Sequence, residues 1–174
     1  VRELPLLLDA LERFESPTWE CLYVLLLWLS SVVLVPFPLD RGTPSPSERI
    51  HRLSARFLSR PGKERDAASI VLGRLYARQE CEFLFSAFLQ DAEQATASLV
   101  PTGVLQTLCA FVKQADASLI RAHYDAMLRV IAHLRTVDTR NMLVDRYAIK
   151  LEGRLAMHDP GDAHVDTLLH ALAH

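Results

Sequence analysis

Between Cys21 and Phe37 the chain runs 17 residues without a charge. Its heart, Tyr23 to Phe37, reads YVLLLWLSSVVLVPF, and the only small polar residues in it are Ser30 and Ser31. A stretch like this must hide from water, either in lipid or in a protein core. As a helix it spans roughly 25 Å, against roughly 30 Å of bilayer hydrocarbon, and Pro36 shortens it further. Glu20 stands at one end and Asp40-Arg41 just past the other, with no Lys/Arg cluster to set an orientation. A secretory signal is excluded by the lack of a basic leading region and of an A-x-A-like site, and because an amphipathic helix precedes the run. The favoured solution is a helix apolar on all sides, central in a packed layer, with a short membrane-associated helix as the alternative. Trp28 and Leu25 are then expected to be almost fully buried, and Trp19, in the first turn, to pack on the preceding helix.

The rest of the chain repeats one pattern. Apolar residues recur at helical spacing over 3–13, 18–35, 47–59, 63–77, 81–96, 102–115, 118–135, 139–156 and 163–173, and no segment alternates as a strand does. About nine helices follow, separated by short breaks: Ser16-Pro17-Thr18, Pro61-Gly62, Pro101, Asp116, Asp138-Thr139 and the turn Asp159-Pro160-Gly161-Asp162. Residues 36–47 hold four of the nine prolines and read as a loop, the segment expected to be disordered or inserted. Gly is scarce, at 6 residues, and aromatics are only 7% of a chain that is 50% hydrophobic, so the apolar mass is Leu, Ala and Val, favouring helix. From residue 63 onward the helices pair at a period of roughly 37–40 residues, the size of a HEAT or armadillo repeat. Small residues such as Ala67 and Ala68 suit the close approach of stacked units. The expected fold is an all-α solenoid of HEAT/armadillo-like repeats over 1–174, with an ordinary helix bundle as the alternative.

Several functions are excluded or unsupported. A net charge of −2 and a pI near 6.4 argue against nucleic-acid binding. There is no phosphate-binding glycine loop, no H-E-x-x-H, no G-x-S-x-G and no facing pair of carboxylates, so no catalytic, cofactor or metal residue is assigned. His170 and His174 stand at i, i+4 but lack a third ligand. His123 and His133 are expected as single surface or interface side chains. Cys21, Cys81 and Cys109 are odd in number and widely spaced, and are expected as small buried side chains in a reducing compartment. The chain starts at Val1 and stops inside a helical pattern, which reads as a piece of a larger protein.

One block is specific enough to carry a resemblance. Trp19-Glu20-x-x-Tyr23-x-Leu25-Leu26-Leu27-Trp28-Leu29-Ser30, followed by Pro36-Phe37, resembles the N-terminal half of the tubulin-specific chaperone cofactor D family. Arg65-Asp66-Ala67-Ala68, Glu82-Phe83-Leu84, Leu105-Gln106-x-Leu108 and Lys150-Leu151-x-x-Arg154-Leu155 fall in the same order, so the likeness runs over about residues 17–160. Leu22 departs from it, standing where an Arg is expected, and a surface contact made by that Arg would be missing. The resemblance implies a cytosolic α-solenoid associated with the microtubule cytoskeleton, a binding scaffold and not itself an enzyme. Its implied partners are β-tubulin, the other tubulin cofactors and an Arf-like small GTPase. The implied work is assembly and disassembly of the αβ-tubulin heterodimer, with activation of tubulin GTP hydrolysis alongside a partner cofactor. A generic HEAT-repeat adaptor for another complex is the alternative.

Arg146, Lys150 and Arg154 recur every fourth residue, placing three positive charges on one helix face within about 12 Å. Such a row suits an acidic partner, and tubulin is acidic. The competing reading is a solvated face partly neutralised by Asp145 and Glu152. No arginine is singled out as an arginine finger.

Overall fold

In the computed structural model, residues 3–13, 18–94, 100–138 and 140–158 are described. They contain nine α-helices: α1 (Glu3–Arg13), α2 (Trp19–Val32), α3 (Pro46–Ala55), α4 (Lys63–Tyr76), α5 (Glu82–Glu93), α6 (Pro101–Gln114), α7 (Ala117–Ala122), α8 (Tyr124–Val137) and α9 (Met142–Ala156). The count agrees with expectation by a different route. The expected last helix at 163–173, the turn Asp159–Asp162 and the pair His170/His174 lie outside the described residues, while the expected single helix over 118–135 is two. It breaks at His123, whose φ of −111° and ψ of 11° leave the helical region. Tertiary contacts fix the break: the ring of His123 meets Phe85 edge-on at 5.0 Å and its Nε2 lies 3.2 Å from Glu82 Oε1.

The helices form two layers. In one, α2 packs on α4, α4 on α6 and α6 on α9, forming a ladder. In the other, α1 lies on α3 and α5 on α8. Within each layer, polar bridges run from one repeat to the next. Arg49 on α3 donates to Asp9 and Glu12 on α1, Arg74 on α4 to the Ser30 carbonyl on α2, Gln106 on α6 to Asp66 on α4, Arg129 on α8 to Glu93 on α5, and Arg154 on α9 to the Cys109 carbonyl on α6. The partners of these bridges are 36 to 45 positions apart. This is an armadillo/HEAT-like solenoid, with neighbouring units one period apart in contact. Between the layers Phe85 stacks on Phe111 at 4.0 Å, and Tyr76 touches Phe85 and Phe88.

Local sequence sets the ends of the elements. The Thr18 hydroxyl caps α2, Asn141 caps α9, and Pro101 occupies the first turn of α6, where its missing N–H costs nothing. Ser45 and Glu48 form a reciprocal capping box at α3. Gly62, at φ 127°, turns the chain into α4.

Four expectations need correction. Trp28 is 47% exposed and Leu25 half-buried, because α2 is flanked in the ladder only by α4 among the described residues. The core takes Leu22, Leu26, Leu29, Ser30 and Val33, while Val24 and Trp28 point away from it. Trp19 is likewise 51% exposed. Position 22 is no surface site, since Leu22 is buried. The Pro-rich segment 36–47 is packed: Leu39 is fully buried and its carbonyl accepts from the Ser47 N–H. Arg78 anchors the same region, donating to the Val33, Val35 and Phe37 carbonyls at 2.6–2.9 Å, so α2 ends at Val32 and not at the proline. At 14 residues α2 is too short to span a bilayer, and no described helix is long and apolar enough to do so.

Candidate partner-binding groove on the helix ladder

Where the ladder faces outward, α4, α6 and α9 line a shallow groove of about 290 Å³. Its floor is a hydrogen-bonded row crossing three repeats. The Gln106 side-chain amide donates to Asp66 Oδ1 at 2.9 Å and to the Tyr147 hydroxyl at 2.8 Å. With both protons committed, Gln106 holds the three helices in register. Its carbonyl oxygen is buried with no partner among the described residues. Next to this row the Cys109 thiol donates to the Tyr147 carbonyl at 3.6 Å.

The rim is basic. Lys113, Lys150 and Arg154 line the groove against a single acid, Asp66, which the Gln106 amide already engages. Among the described residues no ion pair ties Lys113, Arg146 or Lys150. Glu152 is turned toward α8, where Arg135 binds it at 2.7 Å, so it does not neutralise the row. Cys109 is no nucleophile: burial pushes its thiol up to about 11, against the downward pull of Arg154 and Lys150. The groove therefore offers the ammonium donors of Lys113 and Lys150 to a partner's carboxylates, beside the Asp66 carboxylate that Gln106 engages. Among the described residues, no three His, Cys, Asp or Glu side chains gather as a metal site would require.

The residues singled out from sequence divide here. Lys150 and Arg154 line the groove, whereas Arg146 is exposed on α9 but does not line it. Lys150 projects freely, while the Arg154 guanidinium is spent on the Cys109 carbonyl and ties α9 to α6. Sequence reasoning missed Lys113, Asp66, Gln106 and Tyr147. The signal was present in their spacing, since Asp66, Gln106 and Tyr147 follow one another at 40 and 41 positions, the repeat period itself.

Comparison with known proteins gives a consistent family. The family described as "Tubulin-specific chaperone D-like, ARM repeat" matches residues 1–96, which include α1 to α5. Tubulin-folding cofactor D of Schizosaccharomyces pombe is 30% identical over 118 residues, 65% of this chain and 10% of that protein. The chain thus spans about a tenth of the relative it matches. No solved structure matches.

Proposed function

The chain belongs to the tubulin-specific chaperone D-like, ARM-repeat family, and from that premise we propose that it is a segment of a tubulin-folding cofactor. It acts as a binding scaffold and not as an enzyme, in the cytoplasm, in association with the microtubule cytoskeleton. Its partner is β-tubulin, handled during assembly and disassembly of the αβ heterodimer together with the other cofactors and an Arf-like small GTPase. Activation of tubulin GTP hydrolysis is assigned to the whole assembly, and no arginine among the described residues is singled out as a finger.

The observation that carries this reading is the basic rim of the ladder groove, where Lys113 and Lys150 have no ion-pair partner among the described residues, with Arg146 one turn before Lys150 on α9. An acidic partner is steered to such a face, and the attraction weakens with salt. The test is tubulin capture by the full-length protein carrying Lys113→Glu, Arg146→Glu and Lys150→Glu, with Arg154 kept because it holds α6 to α9. Circular dichroism and melting confirm folding first. Capture should fall at least about tenfold, as the loss of about 1.4 kcal/mol or more requires. Undiminished capture by the folded variant would remove the groove from the tubulin site. Failure of the unmodified protein to retain tubulin, while it retains another complex, would favour the adaptor reading.

A further inference from the structure

We infer that the ladder groove takes a short linear segment of an acidic partner, one that carries an apolar side chain beside its carboxylates, and not a folded acidic face. This rests on the groove being the tubulin contact and names the part of the partner that enters it. The three helices lining the groove run in the same direction. Asp66 on α4 meets Gln106 on α6, and further along both helices Gly73 lies against Ala110 and Phe111. Tyr147 on α9 meets Gln106, and further along Arg154 reaches the Cys109 carbonyl. The lining is therefore graded from end to end. First comes the polar row of Asp66, Gln106 and Tyr147. Then Ile70 and Ala110, both half-buried, leave an apolar floor open. Lys113 stands past that floor, two turns beyond Gln106, and Lys150 one turn beyond Tyr147. From Gln106 to Lys113 the rise along α6 is roughly 10 Å, the reach of about three residues of extended chain.

Each part of the lining has something to offer a ligand. Lys113 and Lys150 have no ion-pair partner among the described residues and are exposed, so both ammonium groups are open to carboxylates. The Asp66 carboxylate is already engaged by Gln106 and by Lys63, at 2.9 and 3.9 Å. The Tyr147 hydroxyl accepts from Gln106 and donates to no described residue, so its proton suits a ligand's backbone carbonyl. The floor is what selects. Any polyanion would satisfy the lysines, but only a ligand with an apolar side chain covers Ile70 and Ala110 and releases the water on them. A volume of about 290 Å³ falls at the lower limit of small-ligand clefts, roughly 300–1,000 Å³, and is too small for a helix about 10 Å across. A folded face would reach the lysines and leave the floor wet.

The full-length protein is titrated by fluorescence polarisation with two labelled probes, a short glutamate peptide with one central leucine and an all-glutamate peptide of the same length. The leucine peptide should bind at least about tenfold more tightly, and Lys113→Glu with Lys150→Glu should weaken it by at least about tenfold. Ile70→Ser should bring it down to the level of the all-glutamate peptide. Equal affinity of the two peptides would overturn the inference, as would inorganic polyphosphate of matched charge displacing the probe as well as unlabelled leucine peptide does. Binding of neither peptide by a protein that still captures tubulin through Lys113 and Lys150 would mean that a folded face docks; the segment would be wrong and the tubulin contact would stand. Tight binding of the leucine peptide by a protein that does not retain tubulin would uphold the segment chemistry and remove tubulin as its source. If Ile70→Ser fails to fold, the ranking of the two peptides by the unmodified protein still decides.

Discussion

At the scale of single residues, the buried polar contacts divide into those that hold repeats in register and those that set the chemistry of ionisable groups. His51 is of the second kind. Its Nδ1 lies 2.8 Å from the hydroxyl of Tyr76, a residue with no exposed surface. Burial lowers the His51 pKa below its usual 6.5, with Asp91 acting weakly in the other direction, and burial keeps the Tyr76 hydroxyl protonated well above its ordinary range. The pair is thus a protonated hydroxyl beside a neutral imidazole, with the hydroxyl as donor in the tautomer that carries its proton on Nε2. The folded state resists a proton that the unfolded chain accepts, so the unfolded state binds more protons just below pH 6.5. His51 thus contributes fully above that pH, and its contribution is lost as the pH falls from 6.5 toward the folded pKa. His51→Gln keeps an acceptor for Tyr76 without titrating. Urea denaturation across this range should show a shallower fall in stability for the variant than for the parent. Identical slopes would mean that other groups cause the acid loss.

The elements owe their existence to local signals and their packing to a few points of contact. Pro61-Gly62, Pro101, Ser45 with Glu48, and Asn141 open four helices where capping rules place them. At Gly73 the α4–α6 contact is set by the absence of a side chain. Gly73→Ala gains helix propensity of up to about 1 kcal/mol, but it drives a methyl into the backbone of Phe111, and overpacking of that kind costs roughly 1–3 kcal/mol. A net destabilisation of about 1–2 kcal/mol is expected from chemical denaturation, and a stabilised variant would show that α6 slides away at no cost. The break at His123 was not legible, because residues 118–135 keep the apolar spacing of one helix and only Glu82 and Phe85, on another repeat, pull the ring aside. The exposure of Trp28 was not legible either. Hydrophobicity all round a helix fixes that it seeks cover, whereas how many flanks are covered depends on which neighbours stack on it.

For the molecule as a whole, contacts run from each repeat to the next, so stability is distributed along the stack. α4 touches α2, α3, α5 and α6, and α6 touches α4, α8 and α9. Amide hydrogen exchange should therefore be slowest in α4 and α6 and faster in α1, whose main contacts among the described residues are with α2 and α3. Protection in α1 equal to that in α4 would indicate all-or-none opening of the stack. The groove is a property of this same scale. Its floor and rim come from α4, α6 and α9, and no single element contains enough of it to be recognised as a site.

By itself the sequence determined the all-helical class, most helix boundaries, the repeat period and the family block around Trp19 to Phe37. These are written in spacings of three and four residues, in caps, and in side chains whose burial helical periodicity decides locally. The tertiary structure alone decided that Pro-rich 36–47 packs through Leu39 and Arg78, that Arg154 is a structural tie while Lys150 is free, and that Asp66, Gln106 and Tyr147 form one row. Each of these depends on groups about one repeat apart in sequence meeting in space. That distance is set by how helices stack, which no local pattern records.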